Sequence, residues 1–444
     1  MKKTAAFLTL GCKVNSYETE AIRGMFEAAG YEIVDFKELA DVYVVNTCTV
    51  TNIADRKSRQ MLHQARKRNP EAIIAAVGCY VQAKEEELLN DSSVDLVIGN
   101  NRKSEIVRLV EKYISDKNSY NMVVDIDEEK EYEDLHIIST MERTRAFIKI
   151  QDGCNRFCSY CIIPYVRGRV RSRDEEDILA EINKLAGMGY KEFVLTGIHI
   201  SSYGTDGKIK KEDNDDMPLA KLIKAISVIP GVERIRLGSL EPRIITEAFV
   251  KEMAGVKQFC PHFHLSLQSG SDSVLMRMNR KYTAEEYEEK VRLIRKYFDI
   301  PAFTTDVIVG FPGETEEEFK ETLDFVQRIG FSHIHVFKYS KREGTIAAKM
   351  PNQIPEAIKQ QRSNELISVA KKMSMDYKAL FLGRIEKILF EEEEEIDGVK
   401  YQIGHNERYV KFALKSDENL INRIVHVKTD KLLTDDLLLC TMQQ

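Results

Sequence analysis

Residues 149–161 read Lys149-Ile150-Gln151-Asp152-Gly153-Cys154-Asn155-Arg156-Phe157-Cys158-Ser159-Tyr160-Cys161, an apolar strand pattern that runs directly into three cysteines. The apolar run at 146–150 predicts a buried strand, and the cysteines follow it with the spacing C-x3-C-x2-C. Four-iron clusters are held by soft thiolate ligands. Three thiolates leave one iron open, where another ligand can be activated. We therefore predict an open iron–sulfur cluster held by Cys154, Cys158 and Cys161.

A zinc site is the alternative interpretation of these cysteines. Structural zinc is closed by four ligands, and no histidine lies near the motif, since His136 and His199 are both distant in sequence. The thiolate chemistry favours the iron–sulfur cluster over zinc or a role in the core.

Composition predicts a globular protein of two or three domains, since the chain has 444 residues, of which 43% are hydrophobic and 31% charged. No apolar run approaches the length of a membrane span, and the N-terminal apolar stretch is too short for a secretory signal. Six of the eight cysteines fall into two spaced sets rather than a disulfide framework. We expect a cytoplasmic protein without a membrane partner, because thiolate clusters suit a reducing compartment.

The net charge of −6 excludes a global positive field for nucleic acid, but basic segments occur locally. Residues 56–68 and 277–281 are rich in arginine and lysine, which is also typical of solvated helix faces. Beside the cluster motif, four arginines alternate along the chain, and we predict that they contact RNA phosphates. They are Arg167, Arg169, Arg171 and Arg173.

The first part of the chain alternates strand and helix patterns, which predicts a parallel sheet covered on both faces. We expect strands at 5–10, 41–45, 72–77 and 95–98 and helices at 18–29, 55–68 and 104–114. Cys12, Cys48 and Cys79 each follow one of these strands, so the carboxyl edge of the sheet brings them together. A single such cysteine is usually a core residue. Three in equivalent positions favour a second cluster, again with one iron that lacks a protein thiolate.

Residues 115–143 break the pattern, and their acidic run at 125–134 predicts an exposed linker, after which the alternation resumes. Six strands are expected at 146–150, 193–195, 234–237, 262–267, 305–309 and 333–339. Six parallel strands fall short of a full eight-stranded barrel and predict an open partial barrel with its site at the carboxyl ends. The residues predicted to bind a cofactor at those ends are Gly197, Ser239, Glu241, Gln268 and Gly310.

The last part of the chain changes pattern. A polar helix at 355–380 leads to short strands at 385–390, 401–403, 409–414, 424–428 and 437–440. This spacing predicts a small β-barrel of oligonucleotide-binding type. Tyr401, Tyr409 and Phe412 are candidates for stacking on bases, although aromatic residues here more often fill the barrel.

The whole chain resembles the methylthiotransferase family of radical S-adenosylmethionine enzymes. The resemblance rests on Cys12, Cys48 and Cys79 combined with Cys154, Cys158 and Cys161. It implies an α/β fold with an N-terminal parallel α/β methylthiotransferase domain at 1–117, a central partial (β/α)6 radical S-adenosylmethionine barrel at 140–374, and a C-terminal TRAM domain, a small RNA-binding β-barrel, at 376–444.

Family members differ in substrate: threonylcarbamoyladenosine in tRNA, isopentenyladenosine in tRNA, or an aspartate of a ribosomal protein. Three stretches look most like the first kind of member, namely residues 10–15, 152–164 and 196–204. A mild departure from the pattern is the acidic run at 391–395, which we expect to point away from RNA.

The resemblance implies two 4Fe–4S clusters and S-adenosylmethionine as cofactors. The cluster at Cys154 would bind S-adenosylmethionine for one-electron cleavage, and the cluster at Cys12 would hold the sulfur that is methylated and transferred to carbon 2 of the adenine at tRNA position 37. The implied partners are the tRNA anticodon stem-loop and a low-potential electron donor of flavodoxin or ferredoxin type. A non-enzymatic iron–sulfur RNA sensor is the alternative from another class.

Overall fold

The computed structural model describes residues 2–137, 144–207 and 217–443, so the predicted start of the central domain at residue 140 lies outside the described ranges. The chain forms three units in sequence order. The first is a parallel sheet with helices on both faces. Its elements are β1 (Thr4–Thr9), α1 (Lys13–Ala28), β2 (Glu32–Val34), β3 (Val42–Thr47), α2 (Asn52–Arg68), β4 (Ile73–Gly78), α3 (Cys79–Ala83), α4 (Glu85–Leu89), β5 (Leu96–Ile98), α5 (Ile106–Asp116) and β6 (Tyr120–Met122).

The strands of this sheet lie in the order β2-β1-β3-β4-β5-β6, and all their pairings are parallel. Every residue of β3 and β4 is buried, as expected for central strands covered on both faces. Separate apolar cores lie on the two faces. The sequence prediction of a parallel α/β unit is confirmed, although β6 lies beyond the predicted boundary at 117.

The segment after β6 is more ordered than the predicted exposed linker. Ile126, Leu135 and Ile137 are buried. Glu129 pairs with Arg102 at 2.7 Å, so part of the acidic character is neutralised by the first unit. Six of the ten residues at 125–134 are exposed, as predicted for a linker, whereas the buried apolar residues pack against the neighbouring units.

The second unit is the partial barrel. Its elements are β7 (Arg145–Asp152), α6 (Ile163–Arg167), β8 (Arg171–Ser172), α7 (Glu175–Gly187), β9 (Glu192–Gly197), α8 (Pro218–Ser227), β10 (Arg234–Leu237), β11 (Ser239–Leu240), α9 (Glu247–Ala254), β12 (His262–Leu265), α10 (Asp272–Arg277), α11 (Ala284–Tyr297), β13 (Ala302–Val309), α12 (Glu316–Ile329), β14 (His333–Lys338) and α13 (Glu356–Ala379).

Two four-stranded sheets make up the barrel wall, in the orders β10-β9-β7-β8 and β11-β12-β13-β14. The strands β10 and β11 follow each other directly, so they connect the two sheets at Gly238. The six long strands run parallel, and only the short β8 is antiparallel. The predicted open six-stranded barrel is confirmed.

The third unit is a closed barrel of five strands in the order β15-β16-β17-β19-β18. The strands are β15 (Ile385–Ile396), β16 (Val399–His405), β17 (Lys411–Leu414), β18 (Ile424–Thr434) and β19 (Leu437–Met442). All pairings are antiparallel except that between β17 and β19. The predicted small β-barrel is confirmed. Tyr401 and Phe412 are buried in it, as fillers of the barrel rather than as base-stacking surfaces.

Buried charges attach the third unit to the barrel wall. Glu192 is fully buried at the start of β9, and Arg145 and Arg236 donate to its carboxylate at 2.8 and 2.9 Å. Burial alone would raise the pKa of Glu192, but Arg236 and Arg145 hold that pKa well below its ordinary value. Arg234 extends from the same group to the third unit, where it donates to the carbonyls of His405 at 2.9 Å and Lys387 at 2.7 Å.

The acidic run at 391–395 is partly used in this attachment. Glu391 accepts from Arg145 at 2.6 Å and contacts His405 at 3.1 Å, while Glu393 pairs with Lys400 at 2.7 Å. Among the helices that the structure describes, none is both long enough and apolar enough to cross a membrane.

Arg234→Met is expected to loosen the third unit, because it leaves two carbonyls unpaired and removes one cation from a buried carboxylate. We expect a loss of about 3 kcal/mol in the free energy of unfolding and faster proteolysis near the end of α13. Arg292→Met, on the exposed face of α11, is the matched control, with an expected change below about 0.5 kcal/mol. Urea unfolding and limited proteolysis measure both effects. Equal behaviour of the two variants would contradict this role of Arg234.

Candidate active site

The first cysteine set lies at the carboxyl edge of the N-terminal sheet. Cys12 precedes α1, Cys48 follows β3, and Cys79 begins α3 directly after β4. Since β1, β3 and β4 are neighbours, the three thiols converge as the sequence predicted. Gly11 has a φ of +105°, and a Cβ at that position would lie only 2.9 Å from Cys48 Sγ. Glycine is therefore required for the close approach of these loops.

The second cysteine set occupies the loop after β7. The amide of Cys161 donates to the carbonyl of Cys158 at 2.9 Å, which folds the motif into a turn. Gly153, at φ +72°, precedes it, and a Cβ there would overlap the carbonyl of Arg169 at 1.7 Å. All three cysteines of this loop are partly exposed. The loop thus presents three thiols together at the carboxyl end of the barrel.

Both thiol sets are suited to metal ligation by their environment. Burial raises the pKa of Cys48 to about 11 and that of Cys161 to about 12. Neighbouring thiols in each set raise these values further, since adjacent thiolates repel one another. Such thiols keep their protons until a cation replaces them. Three converging thiols in each place, with no disulfide among the described cysteines, fit an iron–sulfur cluster at each set.

A single cavity of about 830 Å³ faces both sets. Cys12 lines it from the N-terminal unit, and Cys154, Cys158 and Cys161 line it from the barrel. The cavity continues into the barrel lumen, where Tyr409 of the third unit is part of its lining. Tyr409 is 43% exposed, and its ring stacks on His405 with centroids 4.5 Å apart while Arg145 and Arg236 lie over it at 4.9 and 4.8 Å. All three units therefore contribute to one site.

Three of the five predicted cofactor residues line this cavity, namely Gly197, Ser239 and Glu241. Glu241 is buried and contacts Arg156 at 2.6 Å and His199 at 3.0 Å. These groups form a polar edge beside the second cysteine set. Their position agrees with the prediction, although their role in binding a cofactor stays a prediction.

The other two predicted cofactor residues lie elsewhere. Gln268 adopts φ +71°, and its backbone N–H donates to the carbonyl of Asp306 at 2.9 Å. This hydrogen bond joins Gln268 to strand β13. The backbone at Gly310 adopts φ +71°, and a Cβ at this position would lie 2.3 Å from a side-chain carbon of Lys359. Both residues adopt left-handed turns outside the cavity lining, and their role in binding a cofactor stays a prediction.

The four alternating arginines also differ from the prediction. Arg167, Arg171 and Arg173 are buried, with at most 1% of each residue exposed. Their predicted contacts to RNA phosphates are wrong, because internal partners hold them. Arg171 donates to the carbonyl of Arg167 at 2.9 Å, and Arg173 bonds to Glu181 at 2.5 Å. Arg169 alone of the four is exposed, and it lies over a ring of the cysteine loop.

Arg167 is the centre of a buried charge network between the first two units. Its guanidinium contacts Glu18 of α1 at 2.5 Å and Asp152 of β7 at 3.1 Å. Lys149 contacts both carboxylates, at 2.9 and 2.6 Å, and Lys103 contacts Glu18 at 3.3 Å. Burial alone would raise the pKa of Glu18, but Arg167, Lys103 and Lys149 hold that pKa well below its ordinary value.

This network, which we call the Glu18 network, has three cations for two carboxylates, and its extra positive charge is directed at a cysteine. Arg167 Nε donates to Cys79 Sγ at 3.2 Å, and Asn100 Nδ2 approaches the same sulfur at 3.6 Å. Hydrogen bonds to thiolate sulfur stabilise the negative charge of a cluster and tune its potential. The network thus joins the first two units and also stabilises a negative charge at Cys79.

An arginine has the corresponding position at the second cysteine set. Arg280 donates to Cys158 Sγ at 3.3 Å and stacks on Tyr282 at 4.9 Å. The sequence grouped it with Arg277 as a basic segment, but Arg277 instead pairs with Glu318 at 2.6 Å. Charge spacing alone gave no signal that distinguishes an arginine directed at sulfur from one on a surface.

Two family models match separate parts of the chain. The family model described as "Radical SAM superfamily" matches residues 148–326, and that described as "Uncharacterized protein family UPF0004" matches residues 4–99. The chain is 42% identical over 427 residues to threonylcarbamoyladenosine tRNA methylthiotransferase MtaB of Bacillus subtilis (strain 168), covering 96% of this chain and 93% of that protein.

Two further relatives are similar over most of their length. MtaB of Aquifex aeolicus (strain VF5) is 45% identical over 84% of this chain and 89% of its own. A tRNA-2-methylthio-N(6)-dimethylallyladenosine synthase from Thermoanaerobacter sp. (strain X514) is 38% identical over 95% of this chain and 88% of its own. Among solved structures, the radical S-adenosylmethionine methyltransferase TsrM from Kitasatospora setae has a TM-score of 0.54 at 15% identity, covering 76% of this chain and 75% of its own, which supports the fold alone.

Glu18→Gln is expected to destabilise the protein by about 3–5 kcal/mol, because it leaves buried cations without a counter-charge. Since the pKa of Glu18 is depressed in the folded state, its contribution is present above its ordinary value of 4.5 and is lost as pH falls through the folded pKa. The difference between wild type and variant should therefore shrink on acidification below that value. Urea unfolding midpoints across pH measure it.

Glu27→Gln is the matched control on the same helix, since Glu27 is 42% exposed and makes only a long contact to Arg23. A Glu18→Gln midpoint equal to that of this control at neutral pH would refute the stabilising role of the Glu18 network.

Proposed function

Because the chain belongs to the tRNA methylthiotransferases of the radical S-adenosylmethionine superfamily, we propose that it adds a methylthio group to carbon 2 of N6-threonylcarbamoyladenosine at position 37 of tRNA. It is an enzyme that uses S-adenosylmethionine and carries two 4Fe–4S clusters. Cys154, Cys158 and Cys161 are the proposed ligands of one cluster, and Cys12, Cys48 and Cys79 those of the other.

One observation carries this proposal: Cys12 of the first thiol set and all three cysteines of the second set line the same cavity. Carbon 2 of adenine carries no acidic proton, so a positioned acid or base has nothing to remove there. When bound, the clusters and S-adenosylmethionine supply the one-electron chemistry, the methyl group and the sulfur that such a carbon requires. The cavity has room for a nucleobase between the two sets.

The chain's own residues hold these partners in place and exclude water. Arg167 and Arg280 direct N–H groups at Cys79 and Cys158, where thiolate charge develops when iron binds. Glu241, with Arg156 and His199, offers charged hydrogen-bonding groups for the amino acid part of S-adenosylmethionine at the edge of the second set.

RNA contacts are proposed for the surface around the cavity mouth. The exposed Arg169 and the C-terminal barrel are the supporting features, since the other three arginines of that stretch are buried. Loops with splayed bases, such as an anticodon loop, are what proteins of this kind bind most readily. We also propose that a flavodoxin- or ferredoxin-type protein donates the electrons. The proposed location is the cytoplasm, where tRNA and reduced thiols occur.

Dimethylallyladenosine in tRNA is the second candidate substrate, because relatives named tRNA-2-methylthio-N(6)-dimethylallyladenosine synthase are 33–38% identical to this chain. The lining of the lumen favours threonylcarbamoyladenosine. Lys13, His264, Asp306 and His335 line it, which suits a polar N6 group better than an apolar one.

Nucleoside mass spectrometry of tRNA from a deletion strain tests the proposal. We expect loss of 2-methylthio-N6-threonylcarbamoyladenosine, accumulation of its unmethylthiolated precursor, and recovery on complementation. Loss of the methylthio form of dimethylallyladenosine instead would assign the second substrate. Unchanged tRNA with loss of a methylthio group from a ribosomal protein aspartate would refute both, and so would an unchanged set of modifications, as expected for an iron–sulfur sensor.

A further inference from the structure

Among the described residues, the cavity floor contains one lysine that makes no direct ion pair. Lys13 begins α1 next to Cys12 and lines the cavity. Among the described residues its ammonium makes no ion pair or hydrogen bond, and it lies 5.7 Å from the centre of the Phe147 ring. Lys13 is exposed where it lines the cavity, and Arg145, Arg236, Glu192 and Asp306 lie within electrostatic range of its ammonium.

Every other cationic side chain of the cavity already has a partner in the described structure. Their partners are Glu241 for Arg156, Cys158 for Arg280, Asp436 for Lys378, Glu386 and main-chain carbonyls for Arg408, and Glu392 for Lys411. A cation that lines an otherwise satisfied pocket stabilises an incoming anion at little cost, because no existing ion pair must break.

Polar groups surround this position on three adjacent strands. His264 on β12 contacts Thr304 at 3.0 Å and lies 3.4 Å from the carboxylate of Asp306 on β13. His335 on β14 completes the group. One of its ring nitrogens lies within 4.8 Å of a ring nitrogen of His264 and of a carboxylate oxygen of Asp306. Together they offer donors and acceptors beside one positive charge.

The threonylcarbamoyl group has matching chemistry: one carboxylate, one hydroxyl, and a urea with N–H donors and a carbonyl. A dimethylallyl group offers none of these and would leave the polar lining unpaired. We propose that Lys13 binds the carboxylate of the substrate's N6 substituent, with His264, Asp306 and His335 lining the subsite for its hydroxyl and urea. This inference rests on the proposed function and assigns the residue that selects the substrate.

A divalent cation is the other ligand that two histidines and an aspartate can hold. The charge of Lys13 opposes it, since the ammonium acts on His335 directly and would repel a metal ion. An organic anion that also carries a hydroxyl and a urea can pair with Lys13 and hydrogen-bond to His264, Asp306 and His335.

Two stem-loop substrates test the assignment. One carries threonylcarbamoyladenosine at position 37, and the other carries its methyl ester, which lacks the negative charge. They compete for the same enzyme preparation, and the readout is the ratio of kcat/KM for acid over ester. This ratio does not depend on cluster loading, so damage to the neighbouring Cys12 site by a Lys13 variant does not affect it.

We expect wild type to prefer the acid by about 10- to 100-fold and Lys13→Met to lose that preference. Lys13→Arg should retain most of it, since the positive charge remains. Lys184→Met, on the exposed side of α7, is the matched control and should keep the wild-type ratio.

A Lys13→Met enzyme with the wild-type ratio would overturn the assignment. A second outcome would also overturn it: a chelator abolishes the preference of the wild type for the acid, whereas the Lys13→Met substitution leaves that preference unchanged. That outcome would favour a metal at His264, Asp306 and His335. A wild type that converts neither stem-loop would instead refute the proposed function, so the two failures are distinguishable.

Discussion

The buried ion pair between Glu18 and Arg167 is the interaction on which the rest of the site depends. Glu18 belongs to the N-terminal sheet unit, whereas Arg167 belongs to the barrel, and their contact of 2.5 Å is shielded from water. Buried ion pairs are weak sources of stability but strong constraints on geometry, since separation of the partners is costly. By fixing one unit against the other, this pair sets where Cys12 and Cys154 face each other across the cavity.

The same network links structure to chemistry. Its cations exceed its carboxylates, and the excess is directed through Arg167 to Cys79 Sγ. At the other cysteine set, Arg280 provides a similar N–H group to Cys158. Each thiol set therefore has one arginine that donates to a cysteine sulfur and favours a negative cluster. The two units cannot be separated without changing the surroundings of Cys79.

The sequence predicted the periodic features well and the individual contacts poorly. The α/β units, the six-stranded barrel and the convergence of Cys12, Cys48 and Cys79 follow from local patterns and from the rule that parallel strands end at one edge. Arg167 and Arg173 were predicted to contact RNA because they belong to a set of alternate arginines beside the cluster motif. Their acidic partners lie far away in sequence, so no local pattern could indicate that they are buried. The position of Gln268 outside the cavity lining could not be predicted for a related reason, since its left-handed turn depends on neighbouring strands.

The central claim is that two separate thiol sets each hold an iron–sulfur cluster at one shared cavity. Iron analysis of anaerobically reconstituted protein tests it most directly. We expect about eight irons per wild-type chain and about four in the variant with Cys12→Ala, Cys48→Ala and Cys79→Ala. That variant should still cleave S-adenosylmethionine but transfer no methylthio group. About four irons in the wild type, or full methylthiolation by the variant, would contradict the account.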